Sequence, residues 1–157
     1  MIRATTIDAP IGAILLAGGE ALTHLRFPGH GPDPLWRPEP GAFPEARRQL
    51  AAYFAGELTT FTLDLAPEGT PFQRRVWKAL RAIPQGRTAT YGEIAAAIGQ
   101  PGATQAVGRA NGANPIPILI PCHRVVAADG IGGFSGPPEI KHALLALEGA
   151  ERQPRLL

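Results

Sequence analysis

Apolar and polar positions alternate over residues 3–7, and a short apolar run follows at 13–17, with the turn-forming Asp8-Ala-Pro-Ile-Gly12 between them. Period-two patterning bounded by Gly and Pro predicts two strands. A further turn at Gly18-Gly19 leads into a third predicted strand over 21–27. From 28 to 44 the chain carries Pro28, Pro32, Pro34, Pro38, Pro40 and Pro44 around Trp36. Those prolines exclude helix and predict a loop. The period then changes. Ala46, Leu50, Tyr53 and Phe54 recur at helical spacing within 45–55, and Gly56 stops the pattern. Residues 61–65 alternate once more and predict a short strand, and Ala66-Pro-Glu-Gly69 reads as a linker.

Beyond the linker the period is helical. Thr70 has the chemistry of a cap, with Pro71 at the first helical position and Gln73 at the capping-box position. Phe72, Val76, Leu80 and Ile83 share the inner face of this predicted helix, which ends at 84–86. Thr90 caps a second helix over 91–98 with Glu93 in its first turn, and Gly99-Gln-Pro-Gly102 turns into a third over 103–111. Two short helices across a Gly-containing turn suggest a helix-turn-helix. The second is unusually bare, with Ala106, Gly108 and Ala110 followed by Gly112. Such a helix suits close backbone approach to a ligand, and equally close packing inside the protein. The pattern predicts an α+β chain: a β-rich lobe over 1–69 and an α-helical lobe over 70–157.

Composition narrows this. The chain has 157 residues and is 45% hydrophobic, which suits one compact unit or two small lobes and excludes wholesale disorder. No apolar run approaches the roughly 20 residues of a membrane-spanning helix, and the start has no signal-like segment. With these features a cytoplasmic location is expected. Charge divides the chain: net −3 over residues 1–69 and net +5 over 70–157. The second half is therefore the natural partner of a polyanion. Of the 15 basic residues only Lys78 and Lys141 are lysines.

Cys122 is the sole cysteine. An internal disulfide and a thiolate zinc cluster are both excluded. It arrives after an apolar, Pro-rich stretch, within Asn114-Pro-Ile-Pro-Ile-Leu-Ile-Pro-Cys-His-Arg-Val-Val126. A free thiol has a pKa near 8.5 and reacts as the thiolate, so the neighbouring His123 and Arg124 are candidates for proton acceptor and source of positive potential. A buried, inert thiol is the alternative that the residue type alone leaves open.

Pro121-Cys122-His123-Arg124-Val125 resembles the active-site signature of the O6-alkylguanine-DNA alkyltransferases, the methylated-DNA–protein-cysteine methyltransferases. The resemblance runs in order and spacing through Tyr91-Gly-Glu-Ile, Ala106-Val107-Gly108, Asn114-Pro115, Gly133-Phe-Ser-Gly136 and Lys141-His-Ala-Leu-Leu-Ala-Leu-Glu148-Gly. The first lobe is compatible with the family's ribonuclease-H-like domain. The resemblance implies direct-reversal DNA repair. On that resemblance the alkylated nucleotide would be flipped out of duplex DNA, and Cys122 would take the alkyl group from guanine O6 in a single turnover. O4-alkylthymine is a second candidate substrate.

The same resemblance implies residue roles. His123 would take the thiol proton through water, Glu148 would orient His123, and Tyr91 would donate to N3 of the leaving guanine. Ser135 would donate near O6, Asn114 would shape the turn before the active-site strand, and Pro117 and Phe134 would wall the base. The carbonyls of Cys122 and Val125 would recognise its amino group. Gln73, Arg74, Tyr91, Gly92, Gln105, Ala106 and Arg109 would meet DNA, with the second helix of the pair in the minor groove. A monomer is expected, with no cofactor and no metal.

Two positions depart from the family pattern. The family places an arginine before Ala-Val-Gly, and its side chain fills the gap left by the flipped base. Here Gln105 stands there, without charge or a planar guanidinium. Arg109 follows one turn on, at i+4 on the same face. A tyrosine is common where Phe134 stands. Three other readings compete: a non-catalytic binder that flags alkylated DNA, a helix-turn-helix regulator, and a thiol hydrolase. Cys122 argues against the first, the shortage of base-reading side chains against the second, and the lack of an oxyanion-hole motif against the third.

Overall fold

The computed structural model describes residues 1–150. The chain divides into two compact units, Met1–Glu68 and Gly69–Leu157. The first is a four-stranded sheet with one helix. Strands β1 (Arg3–Ala9), β2 (Gly12–Gly18) and β3 (Leu22–Arg26) form an antiparallel meander, and β4 (Arg37–Pro38) joins the other edge of β1 in parallel. The order is β3-β2-β1-β4. Alternation along β1 and β2 buries Ala4, Leu15 and Ala17, with Ile2 and Trp36 packed on them. Helix α1 (Pro44–Phe54) buries Ala46, Gln49, Leu50 and Tyr53.

Two expectations for this unit need correction. The Pro-rich segment is not all loop: Arg37 N–H donates to the Ile2 carbonyl (2.9 Å) and Glu39 N–H to that of Ala4 (2.9 Å), around the two residues of β4. Proline is tolerated there because this is a sheet edge. Residues 61–65 form no strand. Gln49, buried on α1, takes the Thr62 N–H (2.9 Å) and donates to its hydroxyl (3.0 Å), so the ladder is interrupted. What survives is one parallel bridge, Leu22 to Leu65.

The second unit is mainly helical. Helix α2 (Pro71–Arg81) starts with a capping box in which Thr70 and Gln73 satisfy each other's backbone N–H groups. It stops at Arg81, before the predicted end, but Ile83 stays buried through a backbone bond to Leu80. Thr90 and Glu93 repeat the capping box on α3 (Tyr91–Ala97). Helix α4 (Thr104–Gly112) packs on α2 and α3 and buries Val107, Ala110 and Asn111. The Trp77 indole donates to the Ala110 carbonyl at 2.8 Å and locks α2 to α4. Strands β5 (Ala89–Thr90) and β6 (Val125–Val126) pair in parallel. Helix α5 (Pro138–Glu148) follows, closed by Gly149 at φ 77°, the left-handed C-cap that glycine favours. No described helix is long and apolar enough to cross a membrane.

Candidate active site

Asn114 builds the approach to Cys122. Its amide donates to the Ile120 carbonyl (2.8 Å) and its oxygen accepts from the Ile116 N–H (3.0 Å), closing a tight loop. Inside that loop Ile118 is held at φ 72°, a left-handed conformation costly for a β-branched residue. Burial of Ile116, Ile118 and Ile120 keeps it there. Cys122 then opens a one-turn 3-10 segment, Cys122–Arg124, rather than a strand, and β6 begins only at Val125. The turn spreads three consecutive side chains around its axis, whereas an extended strand would return the third to the face of the first. Asn111 on α4 donates to the Cys122 carbonyl at 3.3 Å, so that helix holds the backbone of the thiol residue directly.

The Cys122 side chain is fully buried, with Sγ 3.6 Å from the Ser135 hydroxyl. Burial pushes the thiol up, against hydrogen bonds from Ser135 and Asn114 and the charge of Lys141. His123 is also fully buried, and Nε2 lies 2.7 Å from Glu148 Oε2. Burial draws the imidazole down, outweighing Glu148, and the charges of Arg124 and Lys141 add to the effect. Burial opposes ionisation of Glu148, but the hydrogen bonds and charges of His123 and Arg124 prevail and hold its carboxyl down to about 2. An ionised carboxylate can only accept. Nε2 therefore carries the imidazole proton, and Nδ1 is left as a lone pair with no protein partner. The result is a neutral histidine, oriented from behind, with a free basic nitrogen.

Arg124 completes this cluster. Its guanidinium grips Glu148 with two bonds, Nε to Oε1 at 2.9 Å and an Nη to Oε2 at 3.0 Å, and donates to the Ile83 carbonyl at 2.7 Å. The sequence suggested Arg124 as a source of positive potential for the thiol. It is instead the fixed counter-charge of Glu148, joining α5 to the end of α2.

The other wall is the loop before α5. The Tyr91 hydroxyl donates to the Gly133 carbonyl (2.9 Å) and accepts from the Gly133 N–H (3.1 Å). Gly132 has φ +71°, and a Cβ there would lie 2.8 Å from the Tyr91 hydroxyl, so glycine is required for this approach. Lys141 is 1% exposed, and Nζ donates to the Val125 carbonyl (2.6 Å) and the Gly133 carbonyl (2.9 Å), 5.8 Å from the centre of the Phe134 ring. Burial draws its ammonium down to about 8. Pro117 is buried, and Phe134 and Ser135 are half-buried. Among the described residues no three His, Cys, Asp or Glu side chains converge as metal ligands.

Family models match both units: the 6-O-methylguanine DNA methyltransferase ribonuclease-like domain over residues 2–67, and the DNA binding domain of the same proteins over 71–150. The chain belongs to the 6-O-methylguanine DNA methyltransferase family. It is 56% identical to the methylated-DNA–protein-cysteine methyltransferase of Mycobacterium tuberculosis, over 94% of this chain and 93% of that protein. The crystal structure of the Mycobacterium tuberculosis O6-methylguanine methyltransferase superposes with a TM-score of 0.89 at 54% identity, covering 98% of this chain and 96% of that one. A structure of the Mycobacterium tuberculosis protein in complex with DNA gives the same TM-score, covering 97% and 95%. A relative from the archaeon Methanosarcina acetivorans is 52% identical, over 91% of this chain and 96% of its own length.

The second unit is thus a methyltransferase DNA-binding domain, and its helices present the remaining residues named from sequence. Arg74, Gly92, Gln105 and Arg109 are exposed, while Gln73, Tyr91 and Ala106 are half-buried. The oxygen of Gln73 is engaged in the α2 capping box. A Cβ at Gly108 would lie 3.9 Å from the Tyr91 ring, an ordinary contact, so packing against Tyr91 does not require glycine there. Sequence reasoning did not assign Asn111 or Lys141 to the site. Asn111 sat among small residues with nothing to mark it. Lys141 did carry a signal: it shares one helical face with Leu144, Leu145 and Glu148, and a charge on an apolar face needs a buried partner.

Proposed function

We propose that this methyltransferase repairs O6-alkylguanine in double-stranded DNA by moving the alkyl group to its own Cys122 in one turnover. The carrying observation is a buried Cys122 followed directly by a buried, neutral His123 with a free Nδ1 and with Glu148 locked behind it. His123 removes the thiol proton, through a water where the two do not touch. Sγ attacks the alkyl carbon in line, the S–C bond forms and the C–O6 bond breaks. The bond electrons leave on guanine, and Tyr91 neutralises them at N3 while Ser135 donates near O6. Tyr91 must exchange its bond to Gly133 for one to the base. The Val125 and Cys122 carbonyls recognise the base amino group, and Pro117 and Phe134 flank the ring.

A thioether does not revert without a further reagent, so each molecule acts once. Helices α2, α3 and α4 meet DNA with Arg74, Gly92, Gln105, Ala106 and Arg109, mostly through phosphate contacts and shape, which suits repair in any sequence context. We place the active form as a monomer, since one flipped base needs one site. We place it in the cytoplasm, where DNA and a reduced thiol coexist.

The test is intact mass after incubation with a duplex containing O6-methylguanine. One methyl in place of the thiol hydrogen is expected, on the peptide containing Cys122, and none in Cys122→Ser. An unmodified wild-type protein that still binds the lesion would refute the transfer reading and leave a damage-binding protein.

A further inference from the structure

We infer that Lys141 is the positioning residue of the base pocket, a buried ammonium that ties its two walls together while Tyr91 changes partners. This rests on the proposed transfer reaction. Val125, on β6, and Gly133, in the loop before α5, are eight residues apart in sequence. No backbone ladder joins them; Lys141 Nζ does, at 2.6 and 2.9 Å.

The Gly133 carbonyl accepts from both Lys141 and the Tyr91 hydroxyl. When Tyr91 turns to the base, one of these anchors is lost and Lys141 is the one that remains. Ser135 is two residues further on and 3.6 Å from the thiol, so the hold on Gly133 sets where its hydroxyl stands during transfer. The other end of the clamp is the Val125 carbonyl, which offers one lone pair to Lys141 and keeps a second for the amino group of the base.

An ammonium suits this task because it has three donors and no acceptor. It makes charge-assisted bonds, roughly twice as strong as neutral ones. Its proton is labile in this setting, because burial draws Lys141 down to about 8 while the sulfur of Cys122 draws it up. The other titratable groups around it are His123 on the 3-10 turn, Tyr91 across Gly133, and Glu148 on its own helix. The clamp therefore weakens as pH rises through about 8.

The experiment measures single-turnover transfer from free O6-benzylguanine, which needs no flipping, to wild type and to Lys141→Met between pH 6.5 and 9.5. Melting curves verify that both proteins are folded. Wild-type transfer to Cys122 from a duplex containing O6-methylguanine is the control for the parent reading; its failure would refute that reading rather than the clamp. The expected result at pH 7 is a saturating rate at least tenfold lower in Lys141→Met. The gap should narrow above pH 8 as the wild-type lysine loses its proton. A merely structural role would lower the melting temperature and leave the ratio of rates independent of pH. Rates within threefold at pH 7, or a constant ratio across pH 8, would overturn the proposal. If Lys141→Met does not fold, Lys141→Arg replaces it. Arginine stays charged, so its rate relative to wild type should rise above pH 8, and a level ratio would overturn the proposal in the same way.

Discussion

Replacing Glu148 by Gln should damage stability and transfer through one cause, the unpairing of Arg124. The Glu148 side chain has no solvent exposure and that of Arg124 has 8%. The carboxylate receives two bonds from Arg124 and one from His123. Glutamine keeps the shape but withdraws the charge and points an N–H₂ toward a donor. Removing one member of a buried ion pair costs roughly 3–5 kcal/mol, mostly because the other charge is left uncompensated. For a domain of 60–100 residues each kcal/mol shifts Tm by about 4–8 °C, so the second unit should melt on the order of 15 °C lower or more. Arg124→Met should cost a similar amount by stranding Glu148 and the Ile83 carbonyl.

The double variant, Glu148→Gln with Arg124→Met, removes both charges and should cost less than the sum, with a coupling of about 2–3 kcal/mol. The assay is urea unfolding followed by Trp77 fluorescence in a Trp36→Phe background, so that the signal reports the second unit. Where all variants are folded, transfer to Cys122 should fall in Glu148→Gln and stay low in the double variant, because His123 loses its orienter in both. Additivity within about 0.5 kcal/mol, or full transfer activity in the double variant, would refute the argument that Glu148 serves both the ion pair and the histidine.

Gln105→Arg should tighten binding to lesion-containing duplex and speed repair at limiting protein, while transfer from free alkylated base stays level. Unstacking costs a few kcal/mol, and a planar cation offsets more of it than an amide; equal duplex rates would show that Gln105 already fills the gap. DNA binding should weaken linearly in log–log form with salt, and Arg109→Ala should reduce the slope by about one unit on any sequence; an unchanged slope would remove Arg109 from the DNA face. Acid should destabilise the second unit in two stages. His123, held below its usual value, withdraws stability as pH falls past about 6.5, and Glu148, held at about 2 against an ordinary 4.5, withdraws more between about pH 5 and 2. Glu148→Gln should flatten the lower stage, and a titration identical to wild type would contradict its low pKa.

What could be read from the sequence was what is decided locally. Both capping boxes, Thr70 with Gln73 and Thr90 with Glu93, formed as their spacing requires, since each is complete within four residues. The three-stranded meander was legible because its turns and alternation are contiguous. What failed depended on distant partners. Residues 61–65 lost their ladder to Gln49, and β4 and β6 exist only through pairing with β1 and β5. Helix α5 was not seen as a helix because Lys141 and Glu148 interrupt its apolar face, and both are buried only because β6 and the Cys122 turn supply their partners. The signature around Cys122 named the nucleophile, but not the 3-10 turn that separates the directions of Cys122, His123 and Arg124.

The burial of the thiol bears on the proposed chemistry. Reactive cysteines ordinarily sit where positive charge lowers their pKa, whereas burial raises that of Cys122 and the compensating groups are hydrogen bonds and a single ammonium. A thiol kept protonated and covered does not spend itself on electrophiles in solution. On the proposed single-turnover reaction that protection matters, since each loss removes a molecule. Activation then has to be supplied by the base itself. In the proposed reaction the base would enter between Pro117 and the Gly133 loop, release Tyr91 from Gly133 and bring the alkyl carbon to Sγ, and His123 would remove the proton as the new bond forms. Burial keeps the imidazole neutral and the ion pair behind His123 keeps it aimed before the base arrives, so its orientation need not be established during the reaction. Fold stability and reactivity thus converge on one carboxylate at the end of α5, and the double variant of Glu148 and Arg124 separates them: stability should largely return while transfer does not.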